Sequence, residues 1–203
     1  MSGLAAGLAM AFVAAAYPHG AHADSVPAES PEDFILKIAD RANIAIAGDD
    51  RAALEQLVRD AVDLRRVGFF SLGKYSRLIS DDQKAAYNEL FPQFAIRRYL
   101  RLLERYGGRQ LVVRNTIKNS SRDYIVYTRV LGDPEFDGLE IQWRVLADRD
   151  GEYALIDAGA DGIWLGVQQR EEFASIIDNN GGAGRGGFEV LLRMMREEIG
   201  SGA

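Results

Sequence analysis

The sequence predicts an α+β fold: a run of helices, an antiparallel meander, then two closing helices. Three observations predict it. Apolar residues recur at helical spacing between Pro31 and Tyr106, the period changes to two between Gln110 and Ala160, and helical spacing returns from Leu165 to Ile199.

The elements follow in order. Ser30-Pro31-Glu32-Asp33 opens the first helix, with serine as N-cap, proline at the first helical position and acids in the first turn. Phe34, Ile35, Ile38, Ala42 and Ala45 share one face, which ends near Gly48. Asp49 or Asp50 caps a second helix with Leu54, Leu57, Val58, Ala61 and Leu64 inward. Val67 to Ile79 is a dense aromatic and aliphatic knot around Gly73, which reads as short helices. Ser80 and Gln83 have the spacing of a capping box. They open a long helix carrying Tyr87, Leu90, Phe91, Phe94, Ala95, Tyr99 and Leu102 on its inner face. Pro92 lies within it; a proline removes one ladder bond and crowds the preceding turn, which predicts a kink or a break.

Four strands are expected. Gln110–Lys118 and Tyr124–Leu131 are joined through Asn119–Arg122. Leu139–Leu146 alternates Leu139, Ile141, Trp143 and Val145 with Glu140, Gln142 and Arg144. Asp148-Arg149-Asp150-Gly151 turns the chain into Glu152–Ala160. The closing helices fall at about Leu165–Ile177 and Phe188–Ile199, with a flexible glycine-rich linker at Asn179–Gly187.

Composition narrows the function. The 203 residues fit one domain with a small appendage, and 47% hydrophobic with 27% charged residues is ordinary for a folded chain. A net charge of −6 disfavours a nucleic-acid partner, which needs a basic face. Residues 1–23 carry no Lys, Arg, Asp or Glu, and an apolar run from Leu4 to Ala16 precedes Ala21-His22-Ala23. That pattern is a secretory signal cut before Asp24, followed by a mobile stretch 24–30 and a single domain at 31–199. The run is too short to span a bilayer. The chain has no cysteine, and its 2 histidines, His19 and His22, fall in the leader. A mature chain without either excludes Ser-His-Asp and Cys-His catalysis and the usual zinc ligand sets. No cofactor or metal is expected.

Other motifs read blandly. The run Gly181–Gly187 lacks the Lys-Ser/Thr of a phosphate loop and follows a helix. Asp148–Glu152 is a hairpin turn rather than a calcium loop, because no later bidentate Glu follows. Glu171-Glu172 and Glu197-Glu198 read as solvated faces. So do Arg97, Arg98, Arg101 and Arg105, whose functional alternative is docking to an acidic partner or to lipid headgroups. Apolar residues from the knot, the long helix, the sheet and Ile163–Val167 suit a filled core and an apolar cavity equally.

A family resemblance bears on that choice. Leu72-Gly73-Lys74-Tyr75-Ser76-Arg77 is followed by Ser80-Asp81-Asp82-Gln83, Tyr87 to Phe91 and Tyr99-Leu100. After the meander come Ile156-Asp157-Ala158, Gly162-Ile163-Trp164-Leu165, Arg170 and Phe173. In this order, over roughly Pro31 to Ile199, they resemble the MlaC family. These are periplasmic lipid-binding components of a Gram-negative ABC lipid-transport system, also called toluene-tolerance auxiliary proteins. The resemblance implies an NTF2-like curved four-stranded sheet wrapped by helices, with a helical lid and phospholipid tails held inside. It implies a periplasmic carrier and no enzyme. The implied partners are an inner-membrane ABC transporter complex with its substrate-binding subunit, and an outer-membrane lipoprotein complex.

The expected pocket lining draws on four regions. Phe70, Leu72 and Tyr75 come from the knot, and Phe91, Phe94 and Tyr99 from the long helix. Ile125, Tyr127, Ile141 and Trp143 come from the sheet, and Ile163, Trp164 and Phe173 from the closing segment. Trp164 stands where the family usually has Ser, and Tyr153 where it often has Trp. Related members accompany hopanoid-producing gene sets, so a polycyclic lipid is the alternative cargo. Two rivals remain: an NTF2-like isomerase or dehydratase using Asp157 with Tyr127 or Tyr153, and a structural adaptor with a filled core.

Overall fold

The computed structural model describes residues 29–201; the expected leader and cleavage point lie outside the described residues. Six helices and five strands run in the order α1 Pro31–Ala47, α2 Arg51–Ala61, α3 Leu64–Leu72, α4 Asp81–Tyr106, β1 Gln110–Lys118, β2 Asp123–Leu131, β3 Glu140–Ala147, β4 Tyr153–Ala160, β5 Ile163–Trp164, α5 Leu165–Asn179 and α6 Gly187–Gly200. A 3₁₀ turn, Gly73–Arg77, follows α3, and another, Ala183–Arg185, precedes α6.

The helix starts follow their caps. Ser30 and Ser80 each form a full capping box, with Asp33 and Gln83 respectively. Asp50 accepts from the Ala53 amide at 2.9 Å, and Asp63 from the Arg66 amide at 2.9 Å. These side chains satisfy amides that the helix itself leaves without partners.

Of the kink or break expected at Pro92, the break does not occur: α4 is continuous from Asp81 to Tyr106. The proline removes the donor that would meet the Asn88 carbonyl, and Asn88 is exposed, so the lost bond does not leave a buried residue unpaired. Gln93 Nε2 also donates to the neighbouring Glu89 carbonyl at 3.2 Å.

The sheet is antiparallel in the order β1-β2-β3-β4-β5, one strand more than expected. The extra strand is two residues long, below the length at which alternation is readable. Asp161 and Gly162, with φ of 50° and 80°, reverse the chain so that Ile163 and Trp164 pair with Ala160 and Gly159.

Pairing assigns the sheet's two faces. Val126, Thr128, Trp143, Ile141 and Val145 share one face. It packs on Phe34 and Ile35 of α1 and Ala61 of α2, with Val126 and Val145 fully buried. The opposite face carries Ile125, Tyr127, Gln142, Arg144 and Asp157. A bulge at Ile156 lets Arg144 pair with Asp157 while Val145 pairs with Leu155.

Two helical cores share α4. One joins Ile96 and Leu100 to α1 and α2. The other packs Tyr87, Phe91 and Phe94 against Phe173 of α5 and Phe188, Leu191, Leu192 and Met195 of α6. Phe173 meets the Tyr87 and Phe91 rings edge-on at 6.4 Å each. Arg97, Arg98 and Arg101 of α4 are not a plain solvated face. Arg98 forms a two-pronged pair with Glu172 at 2.6 and 2.7 Å, Arg101 pairs with Glu198, and Arg97 donates to the Ile199 carbonyl. They tie α4 to α5 and α6, and one glutamate of each expected solvated pair is their partner.

The glycine-rich segment before α6 is a tight reversal. Amides of Gly182 and Gly187 donate to Ile177 and Gly182 carbonyls at 2.9 and 3.0 Å.

Gly68 of α3 lies against Phe91, and a Cβ there would sit 2.7 Å from the ring. Gly68→Ala is therefore expected to cost about 1–3 kcal/mol in urea unfolding, despite alanine's helix preference of about 1 kcal/mol. Phe91→Leu in the same chain recovers part of that loss; equal stability of Gly68→Ala and the native chain would show that the ring yields freely.

Candidate functional site

Helices α3 and α5 lie against β4 near the sheet's less covered face, and two clefts open there. The first, of about 380 Å³, is lined by Phe69, Phe70, Arg66 and Gly73 from the α3 end, Arg144, Ile156 and Asp157 from the sheet, and Arg170 from α5. The second, of about 720 Å³, runs between α4 and α5 and has a mixed lining: Val67, Tyr99, Leu102, Leu165 and Gly166 together with Arg98, Arg101, Glu104, Arg105, Gln168, Gln169 and Glu172. The clefts adjoin. Arg66 and Val67 are consecutive, and Asp157 of the first cleft is hydrogen-bonded to Gly166 of the second.

That contact is tight. The amides of Gly166 and Ala158 both donate to Asp157 Oδ1 at 2.9 Å. A Cβ on residue 166 would lie 2.8 Å from Asp157 Oδ2, so glycine is required for this approach. The reason lies one turn earlier. Trp164 occupies the N-cap position of α5 and makes no side-chain cap. Asp157 supplies that cap from the neighbouring strand.

Burial pushes the Asp157 carboxyl above its ordinary range, against the opposing pull of the Gly166 and Ala158 amides and of Arg144. Burial, reinforced by the Asp157 charge, pushes the Tyr99 phenol far up, so it stays protonated. Arg144 also binds Asp123 at 2.7 and 3.2 Å, and Arg66 binds Asp63 at 3.1 Å. Arg170 makes no ion pair among the described residues; its guanidinium lies 5.6 Å from the Phe70 ring.

The thirteen expected lining residues are dispersed. Phe70 lies in the first cleft, 40% exposed, and Tyr99 lines the second. Leu72, Tyr75, Phe91, Phe94 and Phe173 are packed together in the helical core. Ile141 and Trp143 face α1 instead, where the indole donates to Thr128 Oγ1 at 2.8 Å. Ile125 and Tyr127 are partly buried on the opposite face. Ile163 is exposed and Trp164 partly buried at the start of α5. The cleft's cationic wall of Arg66, Arg144 and Arg170 escaped sequence reading. Its trace is the stretch Leu64–Leu78, which holds Arg65, Arg66, Lys74 and Arg77 and no acid.

The pairing of Asp157 with Tyr153 fails on register, because Tyr153 opposes Ala147 on the α1 side. Among the described residues no group of His, Cys, Asp or Glu converges to hold a metal ion, and no helix is long and apolar enough to cross a membrane.

The profile of the MlaC protein family matches residues 33–197. The chain belongs to the MlaC family. Among solved structures, a phospholipid-binding protein from Ralstonia solanacearum, determined in complex with a phospholipid, is similar to it. The two share 19% identity with a TM-score of 0.65, over 83% of this chain and 96% of that one. This likeness supports the common fold. No curated protein matches the chain.

The Asp157 carboxyl gives a pH test. Its value is raised in the fold, so the folded state holds the proton more tightly and the charged form costs stability. The favourable contribution is complete below the unfolded value of about 4 and is lost as pH rises through the folded value. Asp157→Asn keeps the acceptor oxygen and removes the charge. It is expected to be more stable than the native chain at neutral pH, with the difference closing in acid, as read by thermal unfolding across pH. A destabilised Asp157→Asn at neutral pH would mean that the carboxylate's charge is needed at the seam.

Proposed function

We propose that this MlaC-family chain is a carrier that binds a membrane phospholipid and shuttles it across the periplasm. Its proposed partners are an inner-membrane ABC transporter complex with its substrate-binding subunit and an outer-membrane lipoprotein complex. The observation that carries the reading is the pair of adjoining clefts, in which Phe69, Phe70, Val67, Tyr99, Leu102 and Leu165 give apolar patches between charged side chains. Family membership and the phospholipid in the similar Ralstonia protein support it.

The chemistry asked of such a protein is burial. A lipid crossing water must hide its tails, worth about 0.8 kcal/mol for each CH₂. Each cleft lies in the usual range of about 300–1,000 Å³ for ligand sites. Tails enter where the two adjoin, by moving the α5 N-terminus away from β4. This parts the Asp157–Gly166 contact and joins the clefts into one. Phe91, Phe94 and Phe173, packed behind that seam, become the wall the tails meet. No reactive group is needed, and the Asp157 oxygen is already held by two backbone amides.

Native mass spectrometry of the exported protein, followed by lipid extraction, tests the reading. The expected result is a co-purifying diacyl phospholipid on a chain that begins at Asp24. A polycyclic lipid in its place changes the cargo and keeps the carrier. Protein that holds no lipid and takes none from vesicles overturns the proposal.

A further inference from the structure

The first cleft is unusual for a chain of net charge −6. Three guanidinium groups from three separate elements line it: Arg66 of α3, Arg144 of β3 and Arg170 of α5. Two of them are already engaged by carboxylates, Arg66 by Asp63 and Arg144 by Asp123. Arg170 has no such partner among the described residues, yet it is held in place. Its aliphatic and guanidinium atoms lie over Gly73, where a Cβ would come within 2.6 Å of Nε, and the Phe70 ring lies 5.6 Å away. Gly73 also has φ of +51°, so two independent requirements keep a side chain out of this position. Asp157 is the one acid among the lining residues, and its Oδ1 is occupied by the Gly166 and Ala158 amides at 2.9 Å. An unpaired fork of donors beside aromatic rings suits a group that is anionic and planar-bidentate at one end and apolar at the other.

We propose that Arg170, supported by Arg144 and Arg66, is the subsite for the phosphodiester of the carried lipid, with Phe69, Phe70 and Ile156 beside the first carbons of its tails. The inference rests on the carrier reading and assigns the end of the cleft at which the headgroup stays. A phosphodiester is shared by all common glycerophospholipids, so the subsite reads the phosphate and leaves the rest of the headgroup in water.

The test is displacement of a fluorescent acyl probe by phosphatidylglycerol and by diacylglycerol with the same tails. Native protein is compared with Arg170→Gln, Arg170→Lys and the control Arg65→Gln; Arg65 is exposed and does not line the cleft. Arg170→Gln is expected to weaken phosphatidylglycerol about two- to fivefold, the range for one exposed charge pair, and to leave diacylglycerol unchanged. Arg170→Lys keeps part of the preference, and Arg65→Gln changes neither lipid. Equal weakening of both lipids by Arg170→Gln would mean a structural role and overturns the subsite. No weakening of either overturns it too, as does a loss that Arg65→Gln reproduces, which would indicate general charge attraction. A tail-free glycerophosphodiester binding as tightly as the lipid would assign the subsite to a free phosphate ester and overturn the headgroup assignment. Failure of native protein to bind either lipid removes the carrier reading itself, a result distinct from all of these.

Discussion

One face of α4 governs the arrangement of the helices. Tyr87, Phe91 and Phe94 are almost wholly buried, and they receive Phe173 and Phe188 from two later helices at centroid distances of 5.9–6.4 Å. Farther along, Ile96 and Leu100 of the same helix receive α1 and α2. A continuous α4 is therefore the element against which both helical cores are registered, and its continuity through Pro92 is a condition of the fold. Interiors of this kind are close-packed, and a ring cannot be removed or shifted without cost. The same constraint shapes function. The rings fill the space behind the clefts, and in the proposed carrier the cargo enters along the polar seam between α5 and β4 rather than through the aromatic core.

That seam combines opposed tendencies. Asp157 is buried enough that its charge is disfavoured, yet it caps a helix that begins with Trp164 and has no cap of its own. A buried polar contact of this type is stable while satisfied and costly when parted. In the proposed opening its rupture frees the Gly166 amide, while Ala158, next to Asp157 on β4, keeps its bond; water in the opened clefts, or a lipid ester carbonyl, restores the hydrogen bond of Gly166. The contact therefore suits a joint that must hold in the empty protein and yield to a ligand. At the α3–α4 contact around Gly68 and Phe91, the Tyr87 hydroxyl donates to the Gly68 carbonyl at 2.9 Å, and neither residue lines a cleft.

Much of the fold was legible in the sequence, for local reasons. Ser30 and Ser80 announced their helices because a cap depends on residues three apart, and the strands of the meander announced themselves by alternation. What escaped was set by distant partners. The strand at Ile163–Trp164 exists because a reversal at Asp161–Gly162 brings two residues back to β4. The α4 arginines look solvated until Glu172 and Glu198 arrive from helices about seventy and a hundred positions later. Candidate site residues were harder still. Ile125 and Ile141 have the same hydropathy, but pairing puts them on opposite faces of one sheet. Periodicity finds apolar faces and is silent on whether the opposing element fills them. Cationic side chains at the first cleft come from three elements, so no window of sequence contains them together.

The placement of those cations bears on how a carrier both holds and releases its cargo. Tail burial alone increases with chain length and favours retention, since about 0.8 kcal/mol accrues for each CH₂ hidden. A bilayer offers the same burial, so transfer between carrier and membrane is nearly balanced in the apolar term. The balance is then decided by the terms that differ: the polar contacts at the headgroup and the cost of opening the protein. Arg66, Arg144 and Arg170 lie at a mouth in contact with water, where charge pairs are screened and modest in strength. A fully buried phosphate site would hold the lipid against any acceptor. A half-exposed one orients the lipid, keeps its headgroup outermost and adds little enough that an acceptor able to engage the same phosphate can take the cargo.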